Sequence, residues 1–215
     1  MTLFLPTLHY LRFPRDHRVL APGFWLPGSH VAHWQGMHPR TEELLNFLLT
    51  TQIRLREAVD SVSPAARNEP APPGRWSVAE VLEHLALVET GIARLINKKV
   101  SDGRAAGLGQ ELESSSILWS LDVHKMLDRN ERLEAPERTR PASAAGVEDA
   151  WRHLEDAHAT ARHAVASTEG LAIGTLTHPH PSLGPLNLYQ WVIFIGAHEL
   201  RHALQIREIE GLPRA

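Results

Sequence analysis

Two histidines near the end of the chain form the group of residues with the clearest chemical potential. The pattern H-E-x-x-H is matched by His198-Glu199-Leu200-Arg201-His202. Residues four positions apart on a helix lie one turn above each other on one face, so both imidazoles can hold a single metal ion. We therefore predict that His198 and His202 are metal ligands.

The same pattern suggests a zinc protease, but the residues around it do not support that class of enzyme. Only 13 residues follow His202, and Gln205 stands where the extended protease motif has a glycine. The third ligand is therefore expected upstream of this helix.

His84 is the predicted third ligand. It lies one position before Leu85 and three after Val81, on the broad apolar face of a predicted helix. Three inward imidazoles with coordination positions left open for water or substrate are typical of a catalytic metal, not a structural one. The alternative is that His84 is a hydrogen-bonded histidine of the core.

Glu199, beside a predicted ligand, also has two interpretations. It is either the proton acceptor of the reaction or a carboxylate that pairs with Arg201 or Arg207. A divalent ion held by neutral imidazoles lowers the pKa of a bound water or thiol and polarises a carbonyl. A proton acceptor next to the ion would take the proton that the water or thiol releases.

Further histidines are also open to two interpretations. His158 either lines the pocket or is simply buried, whereas His178 and His180 flank prolines in a predicted turn and are expected to be exposed. Trp151 and Trp191 are interpreted as core residues.

Four amphipathic helices must position these side chains. Apolar residues recur at three-and-four spacing, and start or stop residues bound each run. The predicted helices cover residues 41–62 with Thr41 as N-cap, 77–99 behind the capping box of Ser77 and Glu80, 144–168, and 187–210 with Asn187 and Gln190 at its start. The sequence therefore predicts an all-α fold, a four-helix bundle with a long crossover at 101–145 and a turn at 175–185.

Composition excludes several classes of function. The 215 residues include 22 Lys plus Arg and 25 Asp plus Glu, for a formal charge of -3, so binding to nucleic acid is not expected. The chain has no cysteine, which excludes disulfides, thiolate nucleophiles and cysteine-containing zinc sites. No long apolar run or signal peptide is found, so we expect a cytoplasmic protein without a membrane partner.

The first 36 residues show no periodic pattern and contain Pro6, Pro14, Pro22 and Pro27. We interpret residues 1–36 as an irregular extension, disordered or the product of a start miscall, and residues 37–215 as the bundle domain. The alternative is a segment packed along the bundle.

Three separated motifs together resemble those of the DinB-like, or YfiT-like, metalloenzymes. They are Trp76-Ser77 at a helix start, His84 seven residues later, and the run from Gly196 to Ile206 around the two late histidines. The resemblance also includes the loop at Ala135-Pro136-Glu137 and the turn from His178-Pro179 to Gly184-Pro185. The similarity extends over about residues 38–212. It implies a bundle that binds a divalent ion through three histidines, which map onto His84, His198 and His202.

The resemblance also implies a range of functions. The ion is expected to be zinc or nickel, with iron or manganese as alternatives, and the reaction a metal-dependent hydrolysis or a thiol-dependent transfer. The expected partner is a small-molecule substrate, including a low-molecular-weight thiol, and a homodimer is an open interpretation. The second hypothesis is a non-catalytic metal-binding or stress-response interaction protein.

Overall fold

The computed structural model describes Trp34 and residues 36–69, 74–130, 134–141 and 146–209. Among these residues, no helix combines the length and the apolar character needed to cross a bilayer. The helices and strands, in chain order, are α1 Pro39–Ser61, α2 Pro64–Asn68, α3 Val78–Ala105, α4 Val123–Leu127, α5 Val147–Ala166, β1 Thr177–His180, β2 Gly184–Asn187 and α6 Leu188–Ile209.

The four long helices α1, α3, α5 and α6 pack into a bundle. The most extensive contacts join α3 to α5 and α1 to α6, and the contacts of α3 with α6 and of α1 with α5 close the ring. This arrangement confirms the predicted all-α, four-helix-bundle fold.

Two apolar clusters fill the bundle, one toward each end. The first contains residues from 44–48 of α1, 92–100 of α3, 161–165 of α5 and 188–195 of α6. The second contains residues from 55–59 of α1, 78–85 of α3, 147–157 of α5 and 203–206 of α6. It follows that α1 and α6 run in one direction, and α3 and α5 in the other. The connection from α3 to α5 must therefore return along the bundle, as the predicted crossover requires.

Between the two clusters, each long helix contributes buried polar side chains. They are Thr51 and Gln52 of α1, Glu89 of α3, His158 of α5 and Glu199 of α6. We call this set the polar layer.

Local side-chain chemistry fixes where the two histidine-bearing helices begin. The Ser77 hydroxyl accepts a hydrogen bond from the Glu80 amide at 3.2 Å, and the Glu80 carboxylate accepts one from the Ser77 amide at 2.8 Å. Asn187 and Gln190 make the same reciprocal pair before α6, each bond at 3.0 Å. The predicted capping box of Ser77 and Glu80 is confirmed, as is the predicted start of the last helix at Asn187 and Gln190.

The start of α1 differs from the prediction. The helix begins at Pro39 with His38 as N-cap, and Thr41 is buried inside its first turn. Proline at the first helical position has no amide hydrogen to satisfy and already holds a helical φ, which favours this earlier start. The predicted N-cap at Thr41 is therefore wrong. Helix α3 also continues to Ala105, beyond the predicted end near Lys99.

The segment predicted as a turn before α6 contains a small antiparallel hairpin. Strands β1 and β2 pair with Pro179 opposite Pro185, and Gly184 has a φ of 75°. Because neither proline has an amide hydrogen, this pair makes no ladder hydrogen bonds between its own residues. The strands are short and lack apolar alternation, so periodicity could not predict them.

The prediction for residues 1–36 falls almost wholly outside the described part of the chain. Of these residues only Trp34 and Gly36 are described, and Trp34 packs against the first apolar cluster. The predicted end of the last helix at residue 210 also lies outside it.

Candidate metal centre

The structure brings the three predicted ligands together. His84 follows the start of α3 by two turns, and His198 and His202 lie one turn apart on α6. The Nε2 atom of His198 is 3.4 Å from Nε2 of His84 and 3.1 Å from Nε2 of His202. Their ligand atoms all lie within 4.8 Å of one another. We call these residues the trihistidine group.

Hydrogen bonds on the far side of two rings determine which nitrogen carries the proton. Nδ1 of His84 lies 2.7 Å from the Thr139 carbonyl oxygen, and Nδ1 of His202 lies 2.8 Å from Oε1 of Gln205. Both oxygens can only accept, so each Nδ1 donates, and the Nε2 of the neutral ring is left with a lone pair.

Burial keeps these rings neutral. Loss of solvent, followed by the positive charge of neighbouring groups, holds the pKa values of His198 and His202 well below the usual histidine value. Burial also lowers the pKa of His84, although the hydrogen bond to Thr139 opposes this effect. At neutral pH the group therefore presents uncharged imidazoles.

These protonation states fit a bound cation. Two Nε2 lone pairs point toward His198, whose own Nε2 can donate a proton to only one of them. Donor atoms about 2.0–2.1 Å from a tetrahedral metal lie about 3.3–3.4 Å apart, close to the observed separations. Imidazole donors whose other N–H is held by a carbonyl are a common arrangement around metals in proteins.

Aromatic side chains flank the trihistidine group. The ring centroid of Trp76 lies 4.8 Å from that of His84, and Phe194 stacks on His198 at 5.2 Å. His198 is partly exposed whereas His84 and His202 are buried, so the trihistidine group lies close beneath the surface. A cavity of about 360 Å³ lies elsewhere, beside Arg40, Glu111 and Tyr189, and none of the three histidines lines it.

Glu199 lies outside the trihistidine group. Its side chain is 0% exposed, its Oε1 is 2.9 Å from Nε2 of His158, and its Oε2 accepts a hydrogen bond from the Thr51 hydroxyl. Arg201, the predicted alternative partner, donates to the main-chain carbonyls of Met126 and Asp128.

A second buried cluster combines Glu89, His158 and Glu199. Burial, and then the charge of Glu199, raises the pKa of Glu89 to about 8. Burial alone would lower the pKa of His158, but Glu199 and Glu89 together raise it to about 9. Of the two interpretations for His158, the structure therefore supports a buried residue.

Sequence reasoning missed several residues around the site. Gln205 follows His202 by three positions, a spacing that places the two side chains on one helix face, so this contact could have been predicted. The Thr139 carbonyl lies in a loop 55 positions from His84 and has no sequence pattern. His178 and His180 are half-buried against Trp191 instead of exposed, with ring centroids 6.0 and 5.1 Å from it.

Fold and site together define a class of protein, a four-helix bundle with a group of three histidine side chains contributed by two facing helices. The chain belongs to the DinB superfamily, whose family model matches residues 48–206. It is also 31% identical, over 142 residues, to a protein of Bacillus subtilis (strain 168) described as "Uncharacterized protein YuaE". That match covers 65% of this chain and 81% of the relative. No solved structure matches the chain. The resemblance seen in the sequence motifs is thus confirmed.

Proposed function

We propose that this chain is a metal-dependent enzyme of the DinB superfamily that acts on a small molecule. His84, His198 and His202 hold a divalent ion, with zinc or nickel expected first and iron or manganese as alternatives. The observation that carries the proposal is the convergence of three Nε2 atoms, at 3.1 and 3.4 Å, with the Nδ1 atoms of two rings already donating elsewhere.

The proposed reaction is hydrolysis or transfer involving a low-molecular-weight thiol. A divalent ion bound by neutral imidazoles supplies a Lewis acid that lowers the pKa of water or thiol and polarises a carbonyl. Among the described residues no fourth side chain joins the trihistidine group, and three protein ligands with an open position are typical of catalytic sites. The rings of Trp76 and Phe194 offer apolar surface beside that position.

The role of Glu199 as proton acceptor remains a prediction. Its contacts with His158 and Thr51 favour a positioning role, in which the carboxylate fixes the rotation of α6 and hence the direction of His198 and His202. A cytoplasmic location and a homodimer also remain predictions.

Elemental analysis of the purified full chain tests the ligand assignment. His84→Ala is expected to lose one equivalent of metal relative to wild type while its helical circular dichroism is unchanged. His153→Ala is the matched control, because His153 belongs to the same bundle but its side chain is 61% exposed. Retention of every equivalent by His84→Ala would overturn the assignment.

Activity is tested with metal-loaded protein on ester, amide and thioether substrates, with and without an added low-molecular-weight thiol. Turnover that is lost in His84→Ala but retained in His153→Ala supports the proposal that the chain is an enzyme.

A second candidate is a metal-binding protein without turnover, in which the ion links two helices. Helices α3 and α6, which carry the three histidines, contact each other less extensively than α3 contacts α5 or α1 contacts α6. A bound ion would therefore strengthen the weaker of these interfaces. Under this alternative, chelation lowers the melting temperature while no substrate is turned over.

A further inference from the structure

The polar layer contains a second group of side chains whose chemistry the trihistidine group does not explain. Glu89, His158 and Glu199 come from three different helices and are 1%, 4% and 0% exposed. Nε2 of His158 lies 2.9 Å from Oε1 of Glu199 and 3.6 Å from Oε1 of Glu89. One ligand atom from each residue lies within 4.8 Å of the others.

Four atoms of this group are buried and lack a hydrogen-bond partner among the described residues. They are both carboxylate oxygens of Glu89, together with Oε1 of Glu199 and Nε2 of His158, which face each other at 2.9 Å as an ion pair without the geometry of a hydrogen bond. A buried carboxylate without hydrogen bonds is costly, and a single imidazole N–H cannot satisfy two carboxylates at once. His158 can balance Glu199, with which it pairs at 2.9 Å, but both oxygens of Glu89 are left without a donor, and a cation held among the three side chains would satisfy them.

Neighbouring residues direct the donors toward a common point. The Thr51 hydroxyl donates to Oε2 of Glu199, which leaves Oε1 directed at His158. Hydrogen bonds to the outer oxygen of a ligating carboxylate are a regular feature of metal sites.

The spacing of the donors also fits a metal ion. Ligands about 2.0–2.2 Å from one ion lie roughly 2.9–3.6 Å apart, depending on tetrahedral or octahedral geometry. The two measured separations from Nε2 of His158 fall at the limits of this range. Helical bundles build such sites from glutamate and histidine side chains that project inward at one level.

We propose that Glu89, His158 and Glu199 form a second metal site, separate from the trihistidine group, that takes a divalent transition metal ion. Two carboxylates and one imidazole suit manganese, ferrous iron or zinc, and the two negative charges neutralise the ion. His198 and Glu199 are consecutive residues, so α6 contributes neighbouring ligands to two different sites and the sites share no residue.

Metal stoichiometry tests the second site. The full chain is unfolded with a chelator, refolded with excess Zn²⁺, desalted and analysed for bound zinc. Refolding is used because the three side chains are buried and closed to ions in the native state. Wild type is expected to retain two equivalents, Glu89→Gln one, His84→Ala one, and the double variant none.

Glu83→Gln is the matched control. Glu83 also lies on α3 and pairs with a histidine of α5, but this partner, His153, is exposed and lies 3.3 Å away at the surface. This variant is expected to retain two equivalents. A single equivalent in wild type that Glu89→Gln also retains would overturn the proposal. A His84→Ala variant that loses no metal would instead overturn the trihistidine site, so the two failures are distinguishable.

Crystals of wild type that has been refolded and crystallised with Mn²⁺ provide a readout that does not depend on how a variant folds. The expected result is an anomalous peak between the carboxylates of Glu89 and Glu199 and Nε2 of His158. A structure with manganese at the three histidines and none at this position would contradict the second site.

Discussion

At the scale of single residues, Gln205 supports the trihistidine group although it is not one of the proposed ligands. Its Oε1 holds Nδ1–H of His202 at 2.8 Å and so keeps the lone pair on Nε2, where the proposed ion binds. Oε1 of Gln205 also accepts a hydrogen bond from Nη1 of Arg129 at 3.4 Å, which helps to fix the orientation of the Gln205 side chain.

We expect Gln205→Leu to weaken metal binding at the trihistidine group by about 10- to 100-fold, the usual effect of losing a partner behind a ligand. Without the acceptor, the proton of His202 is free to move to Nε2 and compete with the ion. Gln205→Glu keeps an acceptor and is expected to retain most of the affinity. Titration against a competing chelator measures the dissociation constants.

Arg129→Gln serves as the control for this prediction. It removes the contact with Gln205 at 3.4 Å and an ion pair with Glu208 at 3.0 Å but leaves the His202 hydrogen bond in place. Equal losses of affinity in Gln205→Leu and Arg129→Gln would show that the tautomer is not what Gln205 controls.

The positions of the three histidines could be predicted only in part from local information. Spacing of four places His198 and His202 on one face, and the capping box at Ser77 fixes where the helix that carries His84 begins. That His84 meets the other two depends on the packing of α3 against α6. The partners of Glu199 could not be predicted, because Thr51 and His158 reach it only through the packing of three helices. Its neighbours in sequence suggested Arg201 instead.

At the scale of elements, Gly196 sets the distance between α6 and α1. A Cβ atom at this position would lie 2.5 Å from Cε1 of Phe47 and 3.0 Å from Oγ1 of Thr51. The two helices therefore approach closely enough for Thr51 to donate to Glu199, one turn further along α6.

Gly196→Ala is expected to destabilise the protein by about 1–3 kcal/mol, the typical cost of adding a methyl group to a tightly packed interface. Gly91→Ala is the opposite control, since nothing lies within 4 Å of a Cβ there and the glycine is exposed on α3. Better helix propensity is expected to stabilise that variant by about 1 kcal/mol. Midpoints of urea unfolding, measured with chelator present, compare the two. Stabilisation by both substitutions would show that α1 and α6 have room for the methyl group.

The sequence predicted elements well where a helix is long or capped by its own side chains, as for α3 and α6. It failed where the structure depends on distant contacts or on unusual local backbone. The hairpin before α6 has prolines at paired positions and no apolar alternation, and α1 begins at a proline in advance of the more typical cap residue, Thr41. The pairing of the helices, and the residues that meet at each height of the bundle, depend on apolar faces contributed by several helices. The pattern of one helix does not contain this information.

At the scale of the whole molecule, the polar layer divides the core into two apolar clusters. In the absence of metal, its charges must be balanced by protons. The charged groups that face His158 are Glu89 from α3 and Glu199 from α6, while α1 contributes the uncharged Thr51 and Gln52, and Gln52 accepts a hydrogen bond from Arg162.

This balance predicts that the polar layer of the metal-free protein contributes less to stability as the pH rises, from about 4.5 for Glu89 and from about 6.5 for His158. Folding raises the pKa of His158 from 6.5 to about 9 and that of Glu89 from 4.5 to about 8. A raised pKa stabilises the folded state below the unfolded-state value, and this contribution is lost as the pH rises through the folded-state value. Between pH 6.5 and 8 these two groups therefore hold up to two more protons in the folded chain than in the unfolded chain. The lowered pKa values of the trihistidine group act in the opposite direction, most strongly near pH 6.5.

The slope due to these two groups is a loss of roughly 1–3 kcal/mol of unfolding free energy per pH unit, since each proton corresponds to about 1.4 kcal/mol per unit. Urea unfolding of wild type and Glu89→Gln at pH 6.5, 7.25 and 8 in the presence of chelator isolates the part due to Glu89, because the trihistidine group contributes equally to both. Glu89→Gln is expected to lose less stability than wild type, by roughly 1 kcal/mol per pH unit, whereas Glu83→Gln, at the surface pair with His153, is expected to match wild type. Equal slopes in wild type and Glu89→Gln would mean that the buried carboxyl takes up no proton on folding, and the polar layer would then be balanced by His158 alone.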